Sequence, residues 1–527
     1  MKLAALFGGL LCIAVSVTAE QMPNILLIVI DDMNTSLGCF DGPAITPHID
    51  RFSEGALKFT SAYSACPSCN PSRVSMLTGV RPEVSKVFSN SQHFRKTEEA
   101  KDLVTLPQFL KNNGYNTVVA GKIFHGRLKK ENDPESDSDP RSWTYQPVVD
   151  FGDYYGKNFY DEFLDSDWVP EWVGRANPDM PLAERKKIKE AWAFGPTDVS
   201  PENTLDFNSA RFCADFLTGN KSNPQVALAP DVEEKPFFLA CGIFRPHIPI
   251  IAPREFFDLY TNEEEKWRLE LPKIPDDEMA DLPASVQKKK QWFMTHVQHS
   301  PDIWKELRHA YFAATSYADA AVGIVLDGLA KSTYADNTVV IIIGDHGYQL
   351  GEKNRVGKSV NWKGSSGTPM IVKVPGKPAG ATDVPVSLID IYPTIMELSN
   401  MDPPHQLSGV SLLPLLENPN AKRSEPVVIT NAGSGKDISV VKDHWHYISY
   451  GDGSEELYDH RKDSKEWKNL LAKGIRNPEY DSIVNKLKPF IPKERGLPEG
   501  YTYERRSYMT KEWEGHRETT SNKRAAN

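Results

Sequence analysis

The chain has 527 residues, 40% of them hydrophobic and 25% charged, and a formal net charge of −10. This length and mixture provide for a large buried core, in one big domain plus a smaller one, and exclude a disordered or fibrous chain. The acidic balance and the lack of any long lysine- or arginine-rich block argue against a nucleic-acid binder.

Met1-Lys2, the apolar run 3–17 and Val17-Thr18-Ala19 before Glu20 read as a signal peptide over 1–19, so the mature protein is expected to be exported, periplasmic or secreted. No later stretch offers the roughly 18 continuous apolar residues of a membrane span, and the mature chain is expected to be soluble. It keeps Cys39, Cys66, Cys69, Cys213 and Cys241, an odd and widely spaced set unlike a disulfide framework.

Residues 24–30 (NILLIVI) are an apolar, β-branched run, expected to be a strand buried on both faces, and they end in Asp31-Asp32. Thr46-Pro47 opens a short helix that Gly55 stops; Leu57, Phe59, Ser61 and Tyr63 then alternate as a half-buried strand leading to Cys69. Cys69-Asn70-Pro71-Ser72-Arg73 puts a candidate nucleophile just ahead of a helix over 72–78, closed by Gly79. The unpaired N–H groups of that helix start, together with Arg73, favour an anion beside Cys69 and point to attack on an anionic ester.

A further helix starts at Thr105 and Pro107 and ends at Gly114; the strand 116–120 follows, with Lys122 and His125 directly after it. From 127 to 230, acidic, proline-containing and aromatic stretches such as Ser142-Trp143-Thr144-Tyr145 and Asp167-Trp168-Val169-Pro170 read as long surface loops, with rings suited to stacking on sugars. The strand 237–244 runs into Arg245-Pro246-His247. Ala314, Ala318, Ala321, Val325 and Leu329 recur at helical spacing, the apolar run 338–343 is closed by Gly344-Asp345-His346-Gly347, and a sixth strand is expected over 370–374. From about 426, short alternating segments at 438–441 and 445–450, the turn Gly451-Asp452-Gly453 and a charged, helix-like stretch from Lys462 describe a small α+β subdomain, with a polar tail from about Tyr501.

This order is α/β: a large, mainly parallel or mixed sheet flanked by helices, with its site at the carboxyl edge. Asp31-Asp32, Lys122 with His125, His247 and Asp345-His346 are far apart in sequence yet would share one crevice there. Three converging carboxylates need a cation, for which Ca²⁺ fits best and Mg²⁺ is the alternative; His346 is a less usual ligand for so hard an ion. Taken alone, each acidic pair also reads as a helix cap or solvated turn. Cys66-Pro67-Ser68-Cys69 also reads as a C-x-x-C redox or zinc pair, although no second close pair completes a zinc ribbon.

The run C-x-P-S-R, continued by Leu77-Thr78-Gly79, resembles the signature of type I sulfatases of the alkaline phosphatase superfamily. The resemblance extends over nearly the whole mature chain and is closest to iduronate-2-sulfatase-like members, through IDDMNTSLGCF, GKIFHG, FRPHIP, GDHG and GKS. It implies an alkaline phosphatase-like catalytic domain over 20–425 and a C-terminal subdomain with a small antiparallel sheet over 426–527. It implies that Cys69 is oxidised to formylglycine by a maturation enzyme, and that Asp31, Asp32, Asp345, His346 and modified Cys69 hold calcium. Arg73 and His125 would hold the formylglycine hydroxyls. Lys122, Lys358 and His247 would grip the sulfate, with His247 also protonating the departing alcohol. The implied activity is that of a sulfuric ester hydrolase acting on a sulfated carbohydrate. An unmodified thiol could not complete that cycle, because a thiosulfate ester has no adjacent hydroxyl to expel sulfate. The competing readings are a phosphate or phosphonate ester hydrolase of the same superfamily and a non-catalytic binder of sulfated glycans.

Overall fold

The structure is a computed structural model that describes residues 22–126, 138–147, 175, 193–230, 235–275, 277–288 and 300–501. The expected signal peptide, the stretch around Trp168 and the tail beyond Tyr501 lie outside the described residues.

Seven strands form the central sheet: β1 (Asn24–Ile30), β2 (Leu57–Phe59), β3 (Asn116–Gly121), β4 (Phe237–Ile243), β5 (Thr338–Gly344), β6 (Met370–Lys373) and β7 (Gly380–Thr382). Their order is β7-β2-β6-β5-β1-β4-β3. Every neighbouring pair is parallel except those of β6, which runs antiparallel to both β5 and β2. The sheet is therefore mixed but mainly parallel, as expected. Register decides where its chemistry sits. Ile30 pairs with Gly344 on one side and with Ile243 on the other, so the residues that follow β1, β4 and β5 leave the sheet side by side.

Alternate residues of β1 point to opposite faces. Leu26, Ile28 and Ile30 pack with helices α4 (Leu205–Thr218) and α5 (Pro301–Lys331), through Phe212, Cys213, Ala318, Val322 and Val325. Ile25, Leu27 and Val29 face the other layer, where Val74 and Leu77 of α2 (Cys69–Thr78), Leu110 of α3 (Leu106–Asn112) and Ile391 and Ile395 of α6 (Ile391–Leu398) are buried. α1 (Pro47–Glu54) packs Ile49 beside α5. By length and composition α5 could cross a membrane, but 78% of its apolar window is buried inside the protein, which makes it the core helix of a globular fold.

The reading of 127–230 as surface loops does not hold for the described residues 138–147 and 193–230; 127–137, 148–174 and 176–192 lie outside the described residues. α4 occupies 14 of these residues and buries Leu205, Ser209, Phe212, Cys213, Phe216 and Leu217 along one stripe. Trp143 is likewise core, its ring 6.3 Å from Phe124 and 6.2 Å from Phe238, and Tyr145 donates its hydroxyl to the Gln225 carbonyl at 2.8 Å. These rings are spent on packing and are not available to stack on a sugar.

A second, antiparallel sheet runs β8 (Val427–Thr430), β9 (Ile438–Lys442), β10 (Trp445–Ser449) and β11 (Glu455–Asp459) in sequence order. The helix expected from Lys462 begins only at Pro478, as α7 (Pro478–Leu487). Asn477 caps it by accepting the N–H groups of Glu479 and Tyr480, and Val484 and Leu487 close over Val440, Tyr447 and Leu457.

Gly121 and Gly242 face each other across β3 and β4. A Cβ at Gly242 would overlap the backbone of Lys122, and one at Gly121 would overlap the Gly242 carbonyl. This close approach is what brings Lys122 to the carboxyl edge. Gly242→Ala is therefore expected to cost about 1–3 kcal/mol, as overpacking does elsewhere, read as a fall in Tm and in denaturant midpoint. An unchanged midpoint would show that the approach tolerates a methyl group.

Candidate active site

Asp31 and Asp32 follow β1, and a continued strand would send them to opposite faces. Asp32 instead takes a left-handed conformation, φ 60°, which aspartate tolerates better than most residues. Its N–H donates to Asp345 Oδ1 at 3.0 Å, and its carbonyl accepts the Tyr311 hydroxyl of α5 at 2.6 Å. That turn lets both carboxylates join Asp345 in one fully buried group.

Cys69 is the first residue of α2, so the helix starts three residues earlier than expected. Its Sγ lies 2.9 Å from Lys358 Nζ, 3.3 Å from His346 Nε2 and 3.8 Å from Asp32 Oδ1. One of the anion-attracting N–H groups of the helix start is committed, Asn90 Oδ1 accepting from Asn70 N–H at 2.9 Å, while Ser72 N–H makes the first bond within the helix, to the Ser68 carbonyl at 3.0 Å. Arg73 is fully buried and spends its guanidinium inside the protein. Nε donates to Asp345 Oδ2 at 2.8 Å, one terminal nitrogen donates to Asp31 Oδ1 at 3.0 Å, and the other serves the carbonyls of Lys122 at 2.5 Å and Ile123 at 2.9 Å.

Lys122 pairs with Asp31 Oδ2 and Lys358 with Asp32 Oδ1. Their side chains remain 12% and 16% exposed, so they form the outer lip of the site. His247 donates Nδ1–H to the Ile248 carbonyl at 2.6 Å and turns Nε2 inward, 4.0 Å from Asp32 Oδ2. His125 stands half-buried on the turn three residues beyond Lys122.

Burial works against ionisation of these groups, and the cations decide which carboxylates keep their charge. Asp31 is held well below the usual carboxylate range, because Lys122, His247, Arg73 and Lys358 together outweigh its burial. Asp32 moves the other way: burial, reinforced by Asp31 and Asp345, prevails over Lys358 and His346. Burial and the Asp31 charge push the Cys69 thiol well up, so an unmodified Cys69 is a poor thiolate. Burial likewise pushes the His247 imidazole well down.

The donor set fits a hard divalent cation. Asp32 Oδ2 is buried without a hydrogen-bond partner among the described residues. His346 donates Nδ1–H to the Gly347 carbonyl at 2.9 Å, which leaves the Nε2 lone pair facing Asp32 Oδ1 at 3.3 Å and Asp345 Oδ2 at 3.7 Å. Electron-rich atoms so placed need a proton or a metal ion among them. Ligand atoms of Asp31, Cys69, Asp345 and His346 lie within 4.8 Å of one another.

Sequence reasoning missed several supports of this site. Asp206 on α4 is buried and accepts the N–H groups of Phe244 and Arg245, at 2.7 and 3.1 Å, fixing the turn that bears His247. Burial pushes its carboxyl up to about 6, opposed by those two amides. The helical spacing of Leu205, Phe212 and Phe216 was the available signal for it. Tyr311 and Asn90 gave none, being single polar groups in otherwise ordinary segments.

The sulfatase family profile matches residues 23–401, and that for the C-terminal region of N-sulphoglucosamine sulphohydrolase matches 351–495. The chain is 31% identical over 483 residues to a sulfatase of Formosa agariphila, covering 89% of this chain and 86% of that one. It is 30% identical over 417 residues to human iduronate 2-sulfatase, covering 75% and 68%. A phosphonate monoester hydrolase from Silicibacter pomeroyi superposes with a TM-score of 0.64 at 20% identity, over 89% of this chain and 94% of that one. The fold is thus the alkaline phosphatase-like one expected. Fold alone does not choose the ester, because it also carries phosphonate chemistry; the sequence matches make that choice. The chain belongs to the sulfatase family and is a sulfuric ester hydrolase.

Proposed function

We propose that this sulfatase hydrolyses sulfate monoesters of a sulfated carbohydrate, with residue 69 as formylglycine and a calcium ion, or magnesium in its place, at Asp31, Asp32, Asp345 and His346. The observation that carries the reading is the meeting of Cys69 with buried carboxylates, an inward-facing imidazole and two lysines at the carboxyl edge of the sheet. The carbohydrate class is supported by the likeness to iduronate 2-sulfatase. Export and maturation by a formylglycine-generating enzyme belong to the same reading, supported by the apolar start of the chain and by the C-x-P-S-R run.

Formylglycine supplies an oxygen nucleophile for sulfur and a second hydroxyl whose ionisation expels sulfate. A cation at the carboxylates supplies the positive charge that favours an oxyanion at residue 69. The chain's own groups do the rest. Arg73 holds Asp31 and Asp345 in fixed relation by a planar fork, which a lysine could not do. Lys122 and Lys358, at the lip, meet the sulfate oxygens, while His125 holds a hydroxyl of residue 69. His247, its Nδ1–H committed to a carbonyl and its ring kept neutral by burial, has Nε2 placed to take the proton that the attacking hydroxyl of residue 69 gives up and to pass it to the departing sugar oxygen.

Two measurements test this. Purified protein in which mass spectrometry shows formylglycine at residue 69 is expected to release sulfate from sulfated mono- or oligosaccharides, while Cys69→Ala loses at least about a thousandfold in kcat/KM. If the modified protein cleaves phosphonate or phosphate esters and no sulfate ester, the superfamily alternative replaces this reading. If it binds sulfated glycans and leaves them intact, the binding-protein reading does.

Chelation is expected to abolish turnover, with Ca²⁺ restoring it. Ca²⁺ at a hundredfold over its Kd should raise the stability of stripped protein by about 2.7 kcal/mol, seen as a higher Tm. Asp32→Asn should blunt that rise. Activity and Tm indifferent to chelation would remove the cation.

A further inference from the structure

Lys358 directly follows the short strand Val356–Gly357, which pairs antiparallel with Gln349–Leu350 in the segment between β5 and β6, and its placement also depends on what stands behind it. Ser359 N–H donates to the Pro67 carbonyl at 2.9 Å, tying the lysine's neighbour to the loop that enters α2. Five residues beyond Lys358, Lys363–Ser366 make a single helical turn. The Ser366 carbonyl accepts from Ser64 N–H, and the Ser365 carbonyl accepts from Gly347 N–H, each at 2.9 Å. One turn therefore touches the chain leading into Cys69 and the chain leaving His346.

Two buried carboxylates grip that turn, Glu456 from β11 of the second sheet and Glu466 from the chain just beyond it. Glu466 is 1% exposed; its Oε2 accepts from Lys363 N–H at 2.8 Å, and its Oε1 accepts from His446 Nδ1 at 2.5 Å and His460 Nε2 at 2.8 Å. Glu456 accepts from the Trp362 indole at 2.8 Å and from the hydroxyls of Tyr458 at 2.6 Å and Tyr450 at 2.7 Å. His446, His460 and Glu466 also have the closeness of a metal-binding trio. Both imidazoles, however, bond to one Glu466 oxygen, which accounts for their closeness, and His446 Nε2 is left buried without a partner among the described residues. A buried, ionised carboxylate with three N–H donors is a rigid anchor, since moving any donor strands a charge.

We propose that Glu466, itself held by His446 and His460, is a positioning residue for sulfate ester hydrolysis: it fixes segment 358–366 so that Lys358 meets residue 69. This rests on the reading of Lys358 as a sulfate-facing group.

The test uses Glu466→Gln and Lys358→Ala, alone and combined, in the full chain, with rates normalised to the formylglycine fraction. Glutamine keeps the shape but has one acceptor oxygen, which cannot serve both imidazoles and the Lys363 amide. Glu466→Gln is expected to lower kcat at least about tenfold with KM within about twofold. The double variant should be no more than about twofold slower than Lys358→Ala, because both changes remove the same contribution. Amide exchange over 356–367 should accelerate while α5 is unchanged.

Losses that multiply in the double variant, a Lys358→Ala variant as fast as wild type, or unchanged exchange over 356–367 would each overturn the proposal. If modified wild-type protein cleaves no sulfate ester, the reading of the reaction fails separately, and the exchange measurement still decides whether Glu466 holds the segment.

Discussion

Three carboxylates with no exposure to water cannot share one site unless positive charge is built in around them, and this requirement organises the structure. Arg73 answers it from inside, bridging Asp31 and Asp345 with hydrogen bonds of 3.0 and 2.8 Å. Lys122 and Lys358 answer it from the rim. The result is asymmetric, with Asp31 held well below the usual carboxylate range and Asp32 raised, and Asp32 keeps one buried oxygen without a hydrogen-bond partner among the described residues. The helix that begins at Cys69 is buried along its whole length: Val74, Met76 and Leu77 pack in the core, while Arg73 turns to Asp31, Asp345 and the carbonyls of Lys122 and Ile123.

Backbone register brings these groups together. Ile30, Ile243 and Gly344 end level across three parallel strands, so Asp31, Phe244 and Asp345 start their loops from one line. Side chains then need only short reaches, and the loops are held by internal groups: Tyr311 on the Asp32 carbonyl, Asp206 on the amides of Phe244 and Arg245, and Ser72 on the Asp345 carbonyl. Holding the backbone by buried hydrogen bonds keeps charged side chains from relaxing away from one another, which is the condition for electrostatic preorganisation.

What could be read from the sequence followed from how local its cause was. The runs NILLIVI and TVVIII declare buried strands, and the polar residues at their ends, Asp31-Asp32 and Asp345-His346, fall where an α/β sheet places its site. Arg73 was legible as a charge beside Cys69, but its partners were not, because they come from two strands and a turn distant in sequence. α4 was obscured because its buried stripe carries the polar Asp206 and Ser209 among Leu205, Phe212 and Phe216, and with it went Asp206. The hold of Glu466 on Lys363 spans 103 residues and joins the chain after the second sheet to the helical turn before β6, so no periodicity carries it.

The buried acids at the site and those that hold the chain behind it fall into two kinds, distinguished by their partners. Asp31, Asp32 and Asp345 face arginine, lysine and histidine side chains and are poised for exchange with a ligand, since an ammonium group can swing from a carboxylate to an arriving sulfate oxygen. Asp206, Glu456 and Glu466 face backbone amides, an indole, hydroxyls and imidazoles, and those partners cannot leave without opening the chain. The first kind can change partners during turnover only if the second kind does not. Precise placement of Lys358 at the lip therefore depends on carboxylates that never meet the substrate, and the second sheet contributes to the reaction through the segment it immobilises.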